Sequence, residues 1–174
     1  MLELSNPWYP ATLLGAPELW AAFALLVFVV YMGLKVTERR KKVTRKTGDR
    51  VKDFLFLLVP TLVLVFVVVM AMKGVLDVPR QCVPCITELA GCNPYCPLDS
   101  SLPSGHAATA FAGFTAVWLF AGAKKKWLFV YAFPFIASAS RIMLGVHTWL
   151  DVFAGSLVGV AVALAVWEID KRID

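Results

Sequence analysis

Five stretches of this chain, residues 19–34, 54–72, 107–123, 127–140 and 152–167, carry no charged side chain and no histidine, and a charged residue or His bounds each of them. A soluble domain of 174 residues cannot bury so much apolar length, and 59% hydrophobic residues with a mean hydropathy of +0.72 put the chain in a bilayer. Runs of 14 to 19 residues sit near the lower limit for helices crossing a hydrocarbon layer of roughly 30 Å. The expectation is an all-α, polytopic transmembrane bundle of about five spanning helices. It forms a single membrane domain over residues 1–174, with no separate soluble domain.

Charge sets the expected orientation. Nine of the seventeen Lys and Arg residues fall between Lys35 and Lys52, and Lys124, Lys125 and Lys126 separate the third run from the fourth. The positive-inside rule makes residues 35–53 a cytoplasmic basic loop, and Lys171 and Arg172 agree. The N-terminus is then outside and the C-terminus inside. Net charge is +5, but the basic residues are gathered in loops instead of spread over a face, so no nucleic-acid partner is expected. The loop is a topology signal first, with binding to anionic inner-leaflet lipid as the minor reading. The first run lacks a basic n-region and a small-residue cleavage site, and reads as a retained span. Residues 1–18, with Trp8, Tyr9, Pro7, Pro10 and Pro17, suit an irregular external segment at the interface.

Threading the chain this way makes residues 73–106 an external loop and brings residues 141–151 out on the same side. Lys73, Arg80, His106, Arg141, His147 and Asp151 all land at external helix ends. Ionisable groups at membrane depth are costly and point to function. His106 follows Pro103-Ser104-Gly105 at a helix start, where unpaired N–H groups and the dipole favour an anion. Ser104 can cap that helix and Gly105 admits a ligand close to the backbone; an ordinary N-cap beside a solvated His is the plainer alternative. His147 and Asp151 share one face if the last helix begins near His147, and a carboxylate on one ring nitrogen makes the other a better nucleophile. A surface pair at a helix start is the alternative there. The Arg141 fork matches phosphate oxygens. Lys73 reads equally as a snorkelling anchor paired with Asp77.

Lys73-x6-Arg80, Pro103-Ser104-Gly105-His106 and Ser140-Arg141-x5-His147-x3-Asp151 together resemble the three ordered signatures of the type 2 phosphatidic acid phosphatase superfamily. The resemblance covers about residues 73–155. In the family a Pro usually follows the first Arg; here Gln81 follows and Pro79 precedes. The family's membrane core has six helices, against five runs here. The resemblance implies a cell-membrane, multi-pass lipid phosphatase with an outward-facing site. In it, His147 attacks phosphorus and forms a phosphohistidine, Asp151 orients it, and His106 protonates the leaving oxygen and later activates water. Lys73, Arg80, Ser104, Gly105 and Arg141 would bind the phosphate oxygens. No cofactor and no metal is expected, since Asp99 and Asp151 lack a metal-binding spacing.

Cys82, Cys85, Cys92 and Cys96 all fall in the external loop, where an oxidising compartment favours two disulfides in any of three pairings; a zinc knuckle and redox activity are the alternatives. The substrate expected is a lipid phosphate, by analogy polyprenyl diphosphate, with phosphatidate, phosphatidylglycerol phosphate and a lipid A phosphate as alternatives. Its headgroup is expected to enter between the third, fourth and fifth runs. Two other classes compete: a membrane thiol-disulfide oxidoreductase, which leaves the histidines unexplained, and a non-catalytic lipid-binding or transport protein.

Overall fold

Hydrocarbon offers backbone N–H and C=O groups no partner, so apolar runs of Leu, Val and Phe must satisfy them within helices. The structure, a computed structural model, describes residues 6–38, 42–85 and 92–173. Parts of three expected segments therefore lie outside the described residues: 1–5 of the external segment, 39–41 of the basic loop and 86–91 of the Cys loop. Among the described residues there are six α-helices, α1 (Tyr9–Thr12), α2 (Pro17–Glu38), α3 (Lys42–Leu76), α4 (Gly105–Phe120), α5 (Ala132–Met143) and α6 (Trp149–Ile173). Two 3-10 segments, Leu13–Gly15 and Lys125–Tyr131, precede α2 and α5. No strand occurs among these residues; one isolated bridge joins Pro84 to Asn93.

The helix count departs from expectation in length. Pro17–Val36, Thr47–Leu76 and Trp149–Arg172 are long and apolar enough to cross a membrane. α4 has 16 residues and α5 has 12, roughly 24 Å and 18 Å at 1.5 Å per residue. The fourth apolar run divides between a 3-10 turn and α5, a change that hydropathy alone does not register. α4 also has little need of a lipid-facing length, because its neighbours enclose it: ten of its residues, from Ala107 to Leu119, are buried. The basic segment 35–53 is likewise largely helical, since α2 runs to Glu38 and α3 starts at Lys42. Within the N-terminal segment, Tyr9–Thr12 form α1 and Leu13–Gly15 a 3-10 turn.

Small residues set how closely the central helices meet. A Cβ added at Gly155 or Gly159 of α6 would run into the carbonyl of Ser104 or Ala108 on α4. That close approach by small residues four apart is the packing mode lipid-embedded helices favour. Around α4 and α6, Leu57, Leu58, Val65 and Val69 of α3 and Trp20 of α2 complete the core. Pro60 interrupts the α3 hydrogen-bond ladder, and the Thr61 hydroxyl donates to the Leu57 carbonyl at 2.7 Å. The opposite faces of α2 and α3, with Leu25, Leu26, Phe56 and Phe66, are exposed, as lipid-facing surfaces must be. The chain is a helical membrane protein.

Candidate active site

The alternation of helix directions brings the C-terminal ends of α3 and α5 beside the N-terminal ends of α2, α4 and α6. At that end of the bundle lies a cavity of about 220 Å³, lined among others by Lys73, Arg80, Asp99, Gly105, His106, Arg141 and His147. Six residues expected from sequence therefore converge, Arg80 included despite its irregular surroundings. Ser104 and Asp151 do not line the cavity. Ser104 is fully buried as the N-cap of α4, accepting from Ala107 N–H, while its own N–H donates to the Asp151 carbonyl at 2.9 Å.

Asp151 performs two tasks. Thr148 and Asp151 form a reciprocal capping box on α6: the Thr148 hydroxyl accepts from Asp151 N–H, and Asp151 Oδ2 accepts from Thr148 N–H at 2.8 Å. The same oxygen accepts from Ser101 Oγ at 2.6 Å and lies 3.6 Å from His147 Nδ1. α6 begins at Trp149, two residues after His147, and the 3.6 Å separation is longer than a hydrogen bond. His147 Nδ1 is buried and has no hydrogen-bond partner among the described residues.

The cations are held from several sides. Lys73 Nζ donates to Asp99 Oδ2 and to the Ser100 carbonyl, so its partner is Asp99 and not Asp77. Arg80 donates from Nη2 to Asp99 Oδ1 at 2.6 Å, from Nε to the Asp99 carbonyl at 2.8 Å and from Nη1 to the Val146 carbonyl at 2.7 Å. Arg80 Nη1 also sits 3.3 Å from His147 Nε2. Partial burial would raise the Asp99 carboxyl, but the hydrogen bonds from Lys73 and Arg80 outweigh it and hold the group below its ordinary range. Burial first, and then the Arg80 and Arg141 charges, lower His147 from its ordinary value against the opposing pull of Asp151. Its imidazole is therefore neutral near pH 7, with Nε2 toward the cavity cations, the state a nucleophile needs.

Asp99, Ser101, Thr148 and Thr12, which accepts from Arg141, are the residues that sequence reasoning missed. Thr148-x-x-Asp151 carries the capping-box pattern and could have been found. Asp99 and Ser101 had only their nearness to Ser104 as a signal, and Thr12 had none. In the Cys loop, Cys82 is bonded to Cys96 and Cys85 to Cys92. The CxxC cysteines thus bond to different partners and not to each other.

The family model described as PAP2 superfamily matches residues 54–173, well over half the chain and more than the three signatures span. The chain belongs to the PAP2 superfamily. Two relatives are similar over shorter stretches. One is "Bacitracin transport permease protein BcrC" of Bacillus licheniformis, 41% identical over 75 residues, which are 42% of this chain and 36% of that protein. The other is "Lipid phosphate phosphatase 1" of Arabidopsis thaliana, 38% identical over 76 residues, 36% of this chain and 23% of that one. The matched region is thus about a third or less of each relative. Among solved structures, a transmembrane PAP2 type phosphatidylglycerolphosphate phosphatase from Bacillus subtilis superposes with a TM-score of 0.62 at 22% identity, over 97% of this chain and 80% of that one. That likeness establishes a shared fold across nearly the whole chain. LpxE of Aquifex aeolicus aligns over 87% of this chain and 85% of its own, at 28% identity and a TM-score of 0.48.

Proposed function

We propose that this chain is a lipid phosphatase that hydrolyses a lipid phosphate or diphosphate at the outer membrane surface through a phosphohistidine at His147. The observation that carries the reading is one cavity containing three cations, two histidines and an apolar wall. Lys73, Arg80 and Arg141 supply positive charge for equatorial phosphate oxygens, Gly105 exposes the α4 N-terminus to them, and Phe66, Val69 and Met70 form the apolar wall.

In the proposed reaction His147 Nε2 bonds to phosphorus as the bond from phosphorus to the lipid oxygen breaks. His106 gives its proton to that oxygen. Water, deprotonated by His106, then attacks the phosphohistidine, and inorganic phosphate leaves with His147 regenerated. The three cationic side chains supply the charge stabilisation, so a chelator is expected to leave turnover unchanged.

The cavity shares Pro17, Phe66 and Thr109 with an apolar groove of about 310 Å³ that also includes Ala21, Leu62 and Val63. A lipid chain is therefore expected to approach between α2 and α3, in place of the entry among α4, α5 and α6 anticipated from sequence. A single isoprenoid chain suits one groove, and polyprenyl diphosphate is the substrate we favour; phosphatidate, phosphatidylglycerol phosphate and lipid A phosphate are the alternatives. The relatives carry names of both permease and phosphatase type, but the two histidines facing one phosphate cavity favour turnover over transport. The bonding of Cys82 and Cys85 to separate partners leaves thiol exchange without a CxxC disulfide.

Phosphate release by the detergent-purified chain should be measured against those four lipids, with acid-quench trapping of label from the preferred one. Label lost in His147→Ala supports the reading. Neither trapped label nor released phosphate from any of the four lipids defeats it.

A further inference from the structure

Arg141 differs from the other two cavity cations in having no carboxylate in hydrogen-bond reach among the described residues. Lys73 and Arg80 share Asp99, whereas among the described residues the Arg141 guanidinium makes a single protein hydrogen bond, from Nη1 to Thr12 Oγ1 at 2.7 Å. Both partners are buried, Thr12 at 4% and Arg141 at 6% exposure. Arg141 Nε is buried with no partner among the described residues. A buried guanidinium N–H without an acceptor is costly, and such a site is completed by an anion that arrives with its own oxygens.

Thr12 comes from the N-terminal segment, which is built into the site at several points. The turn Leu13–Gly15 packs so closely on α4 that a Cβ at Gly15 would run into the His106 carbonyl. Trp20 Nε1 donates to the Leu14 carbonyl at 2.9 Å and anchors the turn to α2. The Tyr9 ring lies 5.7 Å from that of Tyr95 in the Cys loop. Thr12 is therefore presented by a fixed segment and not by a loose terminus.

We infer that Thr12 is a positioning residue for phosphate recognition: its hydroxyl takes the Nη1 arm of Arg141 and leaves the Nε–H and Nη2 edge of the fork for two oxygens of one phosphate group. The planar guanidinium makes this division possible, since fixing one arm orients the edge beside it. The inference rests on the phosphate-site reading above, but it concerns binding and does not require turnover.

Inorganic phosphate binding to the full-length purified chain, read by titration calorimetry, separates the two. Thr12→Val keeps the shape and removes the acceptor, and is expected to weaken phosphate binding about tenfold, the effect of a charge-assisted hydrogen bond lost from the site. Thr12→Ser restores the acceptor and should return affinity to within about twofold of the parent. In an Arg141→Ala background the same Thr12→Val change should add nothing, because its effect passes through the guanidinium. Thermal melting of each variant shows whether the fold is kept. If Thr12→Val binds phosphate as the parent does, or Ser fails to rescue while melting unchanged, the assignment is overturned. A parent chain that binds no phosphate overturns it too. A chain that shows the Thr12 pattern yet releases no phosphate from any lipid upholds the positioning role and defeats the hydrolytic one.

Discussion

Asp99 and Arg80 form an ion pair at 2.6 Å on the wall of the cavity that holds both histidines, and the second Asp99 oxygen holds Lys73. The carboxylate occupies donors that an incoming phosphate would use, so substrate and Asp99 compete for the same N–H groups. Asp99→Asn keeps one acceptor and removes the charge. Inorganic phosphate should then inhibit at concentrations about three- to tenfold lower, in line with the modest worth of a half-exposed pair. Asp99→Ala goes further, leaving the buried Lys73 without its carboxylate. A loss of about 1–2 kcal/mol is expected by chemical denaturation, below that of a fully buried pair because Asp99 is 47% exposed. Weaker phosphate inhibition in Asp99→Asn would show that the carboxylate aids binding instead of opposing it.

Asp151 caps α6 and, in the proposed reaction, also orients His147, and the two roles can be separated. Asp151→Asn retains an acceptor for Thr148 N–H and Ser101 Oγ but loses the charge 3.6 Å from His147 Nδ1. Turnover should fall by about 10²–10⁴ with little change in KM, as when a carboxylate that orients a catalytic imidazole is made neutral. Thr148→Ala removes one arm of the capping box and should cost about 1 kcal/mol of stability while changing kcat far less. Equal kcat losses in the two variants would mean that Asp151 acts only as a cap.

Acid should weaken the fold. His147 is lowered from its ordinary 6.5 in the folded chain by burial and by Arg80 and Arg141. Below pH 6.5 the unfolded chain takes up a proton that the folded chain refuses, so stability falls as pH falls from 6.5 toward the folded value. Asp99 acts in the same direction lower down, its stabilisation being lost as pH drops through its depressed value. Thermal midpoints between pH 7.5 and 4.5 should decline, and His147→Gln should decline less steeply. An identical slope in that variant would show that the histidine does not carry the effect.

The Cys82–Cys96 bond closes a loop of sequence separation 14 whose first cysteine lies two residues after Arg80. Such a closure contributes about 3 kcal/mol by restricting the unfolded chain. Reduction, or joint Cys82→Ser and Cys96→Ser replacement, should raise KM severalfold through a less constrained Arg80 and leave the phosphohistidine trappable. Joint replacement of Cys85 and Cys92 opens a loop of separation only 7 and should cost less. Complete loss of trapping on reduction would point to a chemical role for the thiols.

The parts of the site readable from sequence were those whose presence is costly. Lys73, His106, Arg141 and His147 interrupt or end apolar runs, where a charge or imidazole needs a reason, and they meet in one cavity. Asp99 was opaque because a carboxylate in a polar loop looks solvated, and its pairing with Lys73 joins residues 26 apart. Thr12 was opaque for the same reason at greater range, 129 residues from Arg141. Apolar run length located the helices but not their ends: residues 127–131 are as apolar as those of α5, yet they form a 3-10 turn.

Gly155 ties the fold to the site. It faces the Ser104 carbonyl across the α4–α6 contact, and Ser104 N–H in turn donates to the Asp151 carbonyl one helical turn earlier. A methyl at Gly155 meets backbone, which cannot swing aside, so the helices must separate and carry His106 away from His147. Gly155→Ala should cost about 1–3 kcal/mol, the range for overpacking a tight contact, and should lower kcat about tenfold or more, since small misplacements between reacting groups are amplified in rate. Gly74→Ala in α3, where an added methyl meets nothing within 4 Å, should leave stability unchanged or raise it by up to about 1 kcal/mol. Comparing the two by thermal melting and steady-state kinetics in one detergent isolates the effect of helix approach from that of adding a methyl group. If Gly155→Ala lost stability but kept kcat, the α4–α6 contact would be structural alone, and the relative placement of the two histidines would have to be set through α5 and the Arg80 contacts.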